Sequence, residues 1–151
     1  MLKSIILTLL ATTVTYAETT HLPINEIFGF ELGSDINNYK GDTITLSNGD
    51  KGMVSPIDVK GFKNVLITYD QSTQKIISVA TMKDQPNNCK EEAKVIMEVL
   101  SDKYGPFDDK YRNGKTEYYI ESEGKRLVVT CDEPEVSEVS IVLIDHKSYL
   151  N

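Results

Sequence analysis

Two cysteines constrain this chain more than any other feature. Cys89 and Cys131 are the only two it has. They follow an N-terminal segment that reads as a secretory signal: Lys3 supplies a positive start, Ile5 to Leu10 (IILTLL) an apolar stretch, and Thr15-Tyr16-Ala17 a small-x-small exit. Cleavage is expected after Ala17, so 1–17 is the signal peptide and the mature chain works in the periplasm or outside the cell. An even cysteine count in an exported chain is read first as a disulfide. The bridge would close a loop of about 42 residues, to which loop entropy assigns about 4 kcal/mol. That is a large share of the roughly 5–15 kcal/mol that holds a domain folded. The competing readings are a free thiol pair and a metal site, and the latter lacks nearby His or further Cys ligands.

The apolar stretch is shorter than the about 20 residues a membrane span needs. No cysteine follows the cleavage point to carry a lipid, so no stable membrane anchor is expected. The 151-residue chain leaves about 134 residues after cleavage, which suits a single domain over 18–151. Its first part, 18–26, contains Pro23 and little periodicity, and reads as an extended N-terminal arm. Lys3 is one of 16 Lys and Arg, so after cleavage 23 Asp and Glu bring the net charge to about −8. The acid gathers in Asp108-Asp109, Glu121 to Glu123 and Asp132 to Glu138. That balance argues against nucleic acid and anionic membranes, which are bound through clustered Lys and Arg. A basic protein is the partner it suits; the bland alternative is that the acid keeps an exported protein soluble.

Periodicity then sets out the elements. Ile27 to Gly33 (IFGFELG) precedes Ser34 and Asp35, either of which would cap a short helix through Tyr39, ended by Gly41. Asn48-Gly49 between Thr43 to Leu46 and Gly52 to Val54 is a type I′ hairpin signal. Phe62 to Tyr69 (FKNVLITY) and Lys75 to Met82 (KIISVATM) are β-branched runs that should pair, with Val65, Ile67 and Tyr69 on one face and Ile77 with Val79 on the other strand's face. One long helix follows. Asn88 caps it with Glu91 three residues on, and Cys89, Ala93, Ile96, Met97, Leu100 and Tyr104 make its buried stripe before Gly105-Pro106 stops it. After an irregular stretch through Asn113-Gly114, Thr116 to Glu121 and Lys125 to Cys131 form a second hairpin, and Ser137 to Asp145 a last strand. Leu127, Val129 and Cys131 alternate onto one face, which turns Cys131 toward the start of the helix and Cys89.

These elements add up to an α+β domain: an antiparallel β-sheet with one long and one short helix packed on one face, stapled by the disulfide. Leu32 to Gly41 and Leu100 to Gly105 echo each other faintly, each followed by strands, as in a duplicated helix-plus-sheet unit. The run Phe28-Gly29-Phe30-Glu31-Leu32-Gly33, then a hairpin, then Cys89 opening a helix that ends in Lys103-Tyr104-Gly105, resembles small exported bacterial proteins of compact α+β architecture, similar to the BamE-like and beta-lactamase-inhibitor-like proteins. The resemblance implies a binding or inhibitor module rather than an enzyme, and carries over no functional residue.

A Ser-His-Asp set needs a histidine beside a serine, and the chain has only His21 and His146, in the arm and at the end of the last strand, with no Gly-x-Ser-x-Gly elbow. Glu117, Glu121 and Glu123 could serve glycoside hydrolysis but read as the wet side of a hairpin, and no acidic cluster matches a calcium loop. No metal, cofactor or catalytic residue is assigned. Tyr combined with charge suits a protein-binding surface, so Phe107, Tyr111, Tyr118, Tyr119, Glu121 and Glu123 are the candidate partner-binding residues. Tyr118 and Tyr119 must face opposite sides of a regular strand. The expected function is an exported, non-enzymatic protein-binding module, an inhibitor or immunity protein. The alternative is an envelope structural or assembly factor, and a small hydrolase ranks below both.

Overall fold

The computed structural model describes residues 20–59, 61–84, 88–112, 115–132 and 138–149. The expected signal peptide and its cleavage point lie outside them, as does Ser137. In chain order the elements are β1 (Glu26–Ile27), β2 (Phe30–Glu31), a 3₁₀ turn (Ile36–Asn38), β3 (Asp42–Thr45), β4 (Lys51–Val59), β5 (Phe62–Tyr69), β6 (Ile76–Asp84), α1 (Cys89–Tyr104), β7 (Asp108–Arg112), β8 (Lys115–Ser122), β9 (Lys125–Asp132), β10 (Glu138–Asp145) and a terminal helical turn α2 (His146–Tyr149).

Among the described residues, eight strands form one antiparallel sheet in the order β3-β4-β5-β6-β10-β9-β8-β7. It consists of two four-stranded meanders whose last strands, β6 and β10, meet at the centre. The fold is therefore mainly β. It corrects the expected α+β class with one long and one short helix: among the described residues only α1 is a long helix, and the expected short one is a single 3₁₀ turn. Asp35 does cap that turn, its carboxylate accepting from the Asn37 N–H at 2.9 Å. The turn cannot lengthen backward because the preceding backbone is already committed to the sheet. Gly33 N–H donates to the Ile76 carbonyl and Ile36 N–H to the Gln74 carbonyl, at 2.8 and 2.9 Å. Each meander is thus preceded by a helical element, in keeping with the faint echo in the sequence.

Three local expectations shift. The stretch Asp108–Arg112, read as irregular, is the edge strand β7 paired to β8; its charged residues carry little β propensity, and pairing overrides it. At Asn48-Gly49 only the glycine has positive φ, +91°, and Leu46 N–H reaches the Asp50 carbonyl at 2.7 Å. The loop is a three-residue turn ending in a left-handed glycine, not type I′. Glu123-Gly124, at +54° and +80°, is a two-residue loop with positive φ at both positions, as is Phe28-Gly29 between β1 and β2, at +54° and +83°. In β6, Thr68 pairs with Ser78 but Tyr69 with Ile76, so Ile77 is an extra, bulged residue. Ile76, rather than Ile77, joins Val79 in the core.

The buried face of the sheet carries Val65, Ile67, Val79, Leu127, Val129, Val139, Ile141 and Leu143. Helix α1 lies across β9 and β10, capped by Asn88, whose side chain accepts from the Glu91 N–H at 3.1 Å. Cys89 and Ala93 are buried on its inner side, with Ile96, Met97 and Leu100 half-buried. The expected disulfide is present: Cys89 in the first turn of α1 is bonded to Cys131 of β9, with Cα atoms 5.5 Å apart.

A second cover comes from the N-terminal segment, which is less of a free arm than its composition suggests. Ile24, Ile27, Phe30, Leu32 and Ile36 are all buried in the same core. The segment is tied to the end of α1 by the Leu22 N–H on the Lys103 carbonyl at 2.9 Å, by the Tyr104 hydroxyl donating to the Glu26 carbonyl, and by Lys103 Nζ on the Glu26 carboxylate at 3.1 Å.

Candidate functional site: an apolar groove beside the helix

The two covers do not meet along their whole length, and the seam between them is a groove of about 490 Å³. Phe28 of the N-terminal segment and Val59 and Phe62 of the β4–β5 hairpin line one side. Val95, Ile96, Val99 and Leu100 of α1 line the other, with Ile141 of β10 beneath and Lys83, Glu91 and Glu92 at the end nearer the start of the helix. The Phe28 and Phe62 rings meet at a tilt of 38°, 6.5 Å between centroids. Val95 and Val99 are 60% and 66% exposed, the most open aliphatic side chains of the helix. Lys83 Nζ sits 2.6 Å from the Glu92 carboxylate. The stem of Lys83 crosses Gly61, where a Cβ would fall 2.8 Å from its Cε.

Such a volume and lining fall within the range of sites that take apolar ligand or side-chain groups, about 300–1,000 Å³. What the groove offers is shape and desolvation. The polar groups at its end neutralise each other in part and are not arranged as a proton-transfer pair. Among the described residues, no group of three or more His, Cys, Asp and Glu gathers to hold a metal ion.

The six sequence-derived candidates lie elsewhere and on more than one surface. Phe107 and Tyr118 line a second, more polar groove of about 720 Å³ on the opposite flank of α1, with Asp109, Glu98, Asp102 and His21. Asp109 is the register partner of Tyr118. Tyr111 is 73% exposed on the edge strand, and its pairing with Thr116 keeps it on the helix side of the sheet. Tyr119 points to the opposite face, where the Arg126 guanidinium lies 4.3 Å from its ring centroid and 3.7 Å from the Glu117 carboxylate. Glu121, opposite Arg126 in the register, shares that far face, and Glu123 sits in the exposed hairpin turn. Tyr118 and Tyr119 do face opposite sides. The two histidines are apart: His21 lies against Gly105, and the His146 N–H donates to the Gly124 carbonyl at 2.9 Å.

Val95, Val99, Val59 and Phe62 did not stand out as a site in the sequence. One signal was there to read: Val95 and Val99, four apart, are apolar yet fall off the buried stripe of α1 that Cys89, Ala93, Ile96 and Leu100 define. An apolar pair outside the core stripe has to be either exposed or covered by something else.

Perturbed titrations are found in the β5–β6 loop and at the end of α1. The Asp70 carboxylate in the β5–β6 loop is held down to about 2 by the Ser72 hydroxyl first, then by the Thr73 N–H and hydroxyl and the Ser72 N–H. Partial burial pushes Glu26 up, but the Gly29 N–H and Lys103 together outweigh it and lower it. Lys103 is raised by Tyr104 first and by Glu26 next. These shifts stabilise a turn and the tie between the two covers.

Comparison with protein-family models, with curated proteins and with solved structures finds no match to this chain. Among the described residues no helix is long and apolar enough to cross a membrane.

Proposed function

We propose that this chain is an exported, non-enzymatic protein-binding module that masks a partner in the periplasm or outside the cell, as an inhibitor or an immunity protein. The observation that carries the reading is the open apolar groove beside α1, with Val95 and Val99 turned outward along it. Aliphatic and aromatic side chains gathered along one groove are the kind of lining that takes a partner's apolar groups. The disulfide fits an oxidising compartment.

The test is crosslinking and mass spectrometry with the tagged chain in the envelope fraction and the medium. The expected result is one stoichiometric partner whose activity falls as the chain is added, and whose capture is lost with Val95→Asp and Val99→Asp. Capture that is indifferent to those substitutions removes the groove from the reading. Recovery of resident envelope machinery, with no activity suppressed, favours an assembly role.

A further inference from the structure

Resting on that reading, we infer that the groove seats one amphipathic α-helix of the partner, its aliphatic anchors spaced three and four residues apart and flanked by Lys or Arg. Three features of the groove specify this occupant.

The first is its direction. From Glu91 to Leu100 its α1 wall follows three successive turns, about 13 Å at 1.5 Å per residue. A second helix laid alongside would set its own i, i+4 ridge against Val95 and Val99, the usual way two helices interlock.

The second is the backbone. A helix satisfies its own N–H and C=O groups, whereas an extended segment needs a strand edge to pair with. The nearest unpaired sheet edge is the second half of β4, beyond its pairing with β3. That edge carries Pro56, which has no N–H to offer, and a break in register between Pro56 and Val59, two devices that discourage strand addition.

The third is charge. Lys83 is occupied by Glu92, so Glu91 is left as the unpaired charge at that end of the groove, and among the described residues no cation pairs with it. The chain as a whole carries −7. A basic flank is attracted to that end, while a second copy of this acidic chain is repelled.

The experiment uses the oxidised mature chain and two synthetic 18-residue helices with the same leucine spacing, one with lysine and one with glutamate on the polar side, followed by fluorescence anisotropy at physiological salt. The Leu/Lys helix is expected to bind, and the Leu/Glu helix to bind at least tenfold more weakly. Val95→Asp and Val99→Asp together should weaken the Leu/Lys helix about tenfold although they add negative charge. Val95→Ala with Val99→Ala, which keeps the helix and the charge, should weaken it severalfold. Circular dichroism and the intact disulfide check that each variant is folded.

If the aspartates tighten binding, charge alone holds the peptide and the inference falls. Equal binding of both helices overturns the basic flank and leaves the protein-binding reading standing. If neither helix binds while crosslinking still captures a partner through Val95 and Val99, the helical occupant is wrong and the wider reading survives; loss of both ends the two together. Concentration-dependent dimerisation abolished by Val99→Asp would make a second copy the occupant, and a fatty acid probe bound in the groove and lost with the same variant would make it a lipid. Either result overturns the inference.

Discussion

Replacing Cys89 and Cys131 together by alanine probes how much of this fold depends on its single covalent cross-link. The bridge joins residues 42 apart, and the loop-closure relation for that separation gives about 4 kcal/mol at 25 °C. Both sulfurs are buried, so the alanines also leave small voids that add to the loss. What the bridge holds is specific. Cys131 lies in a strand paired on both sides, with Thr116 and Val139, and that ladder remains after the change. Cys89 opens α1, whose first turn then rests on its cap, on Ala93 and on the Lys83–Glu92 ion pair, while Ile96, Met97, Leu100 and Tyr104 and the ties to the N-terminal segment hold the rest of the helix. Urea titration followed by circular dichroism should show the midpoint falling by about 2 M, for a slope of about 2 kcal/mol/M. Native-state amide exchange should quicken in α1 more than in β6 and β10. A loss below about 1 kcal/mol would refute the view that the bridge chiefly restricts the unfolded chain, and exchange that quickens evenly throughout would refute the view that it pins the helix.

Two further outcomes follow from the core and from one turn. Ile67 is fully buried in β5, flanked by Met53 and Val79 in the register, so Ile67→Ala should cost about 3 kcal/mol, read from the urea midpoint; a cost under about 1 kcal/mol would mean that the core collapses around the gap. Asp70, lowered from 3.8 to about 2 in the folded chain, contributes stability that is fully present above pH 4 and is lost as pH falls through about 2. Its carboxyl resonance should titrate near 2, and Asp70→Asn should flatten the stability profile between pH 4 and 2. A midpoint near 3.8 would show that the Ser72 and Thr73 hydrogen bonds do not hold in solution.

Much of the fold was legible because the strands obey simple patterns. FKNVLITY and KRLVVTC alternate cleanly, and the stripe of α1 with its Asn88 cap left little choice. The disulfide followed from the phase of Leu127, Val129 and Cys131 together with the place of Cys89 on that stripe. The class was misjudged for two physical reasons. Asp108–Arg112 gains its strand from pairing with β8, which composition does not encode, and the start of the expected short helix is bound to β6 and the loop before it, through the Gly33 N–H on the Ile76 carbonyl and the Ile36 N–H on the Gln74 carbonyl, which leaves a single 3₁₀ turn. The bulge at Ile77 was invisible for a similar reason, since a one-residue insertion shows only against a partner strand. None of the sequence-derived candidates lines the apolar groove. Phe107 and Tyr118 do share a groove, but Tyr119 and Glu121 follow the pleat to the other face, and the apolar groove is built from four segments far apart in sequence.

The groove follows from how little covering material the described residues provide for the sheet. Eight strands at about 4.8 Å spacing make a sheet about 34 Å wide, while a helix with its side chains is only about 10–12 Å across. One helix therefore shades two strands or so, and β9 and β10 are the strands α1 packs on. The N-terminal segment, with Ile24, Ile27, Phe30 and Leu32 buried, is the other cover, tied to the β6 end of the sheet through Gly33 and Ile36. A seam between two covers of different origin is a geometric consequence of this arrangement, but its chemistry is not. The seam could be lined toward water by Lys or Glu, as α1 carries at Lys90, Glu91, Lys94 and Glu98, and these residues favour a helix more than valine does. Val95 and Val99 forgo that helix propensity and, more than half exposed, bury little of their area in the core. Their apolar surface lowers the free energy of the protein only when something else covers it, and that is the physical ground for placing a partner along this side of α1.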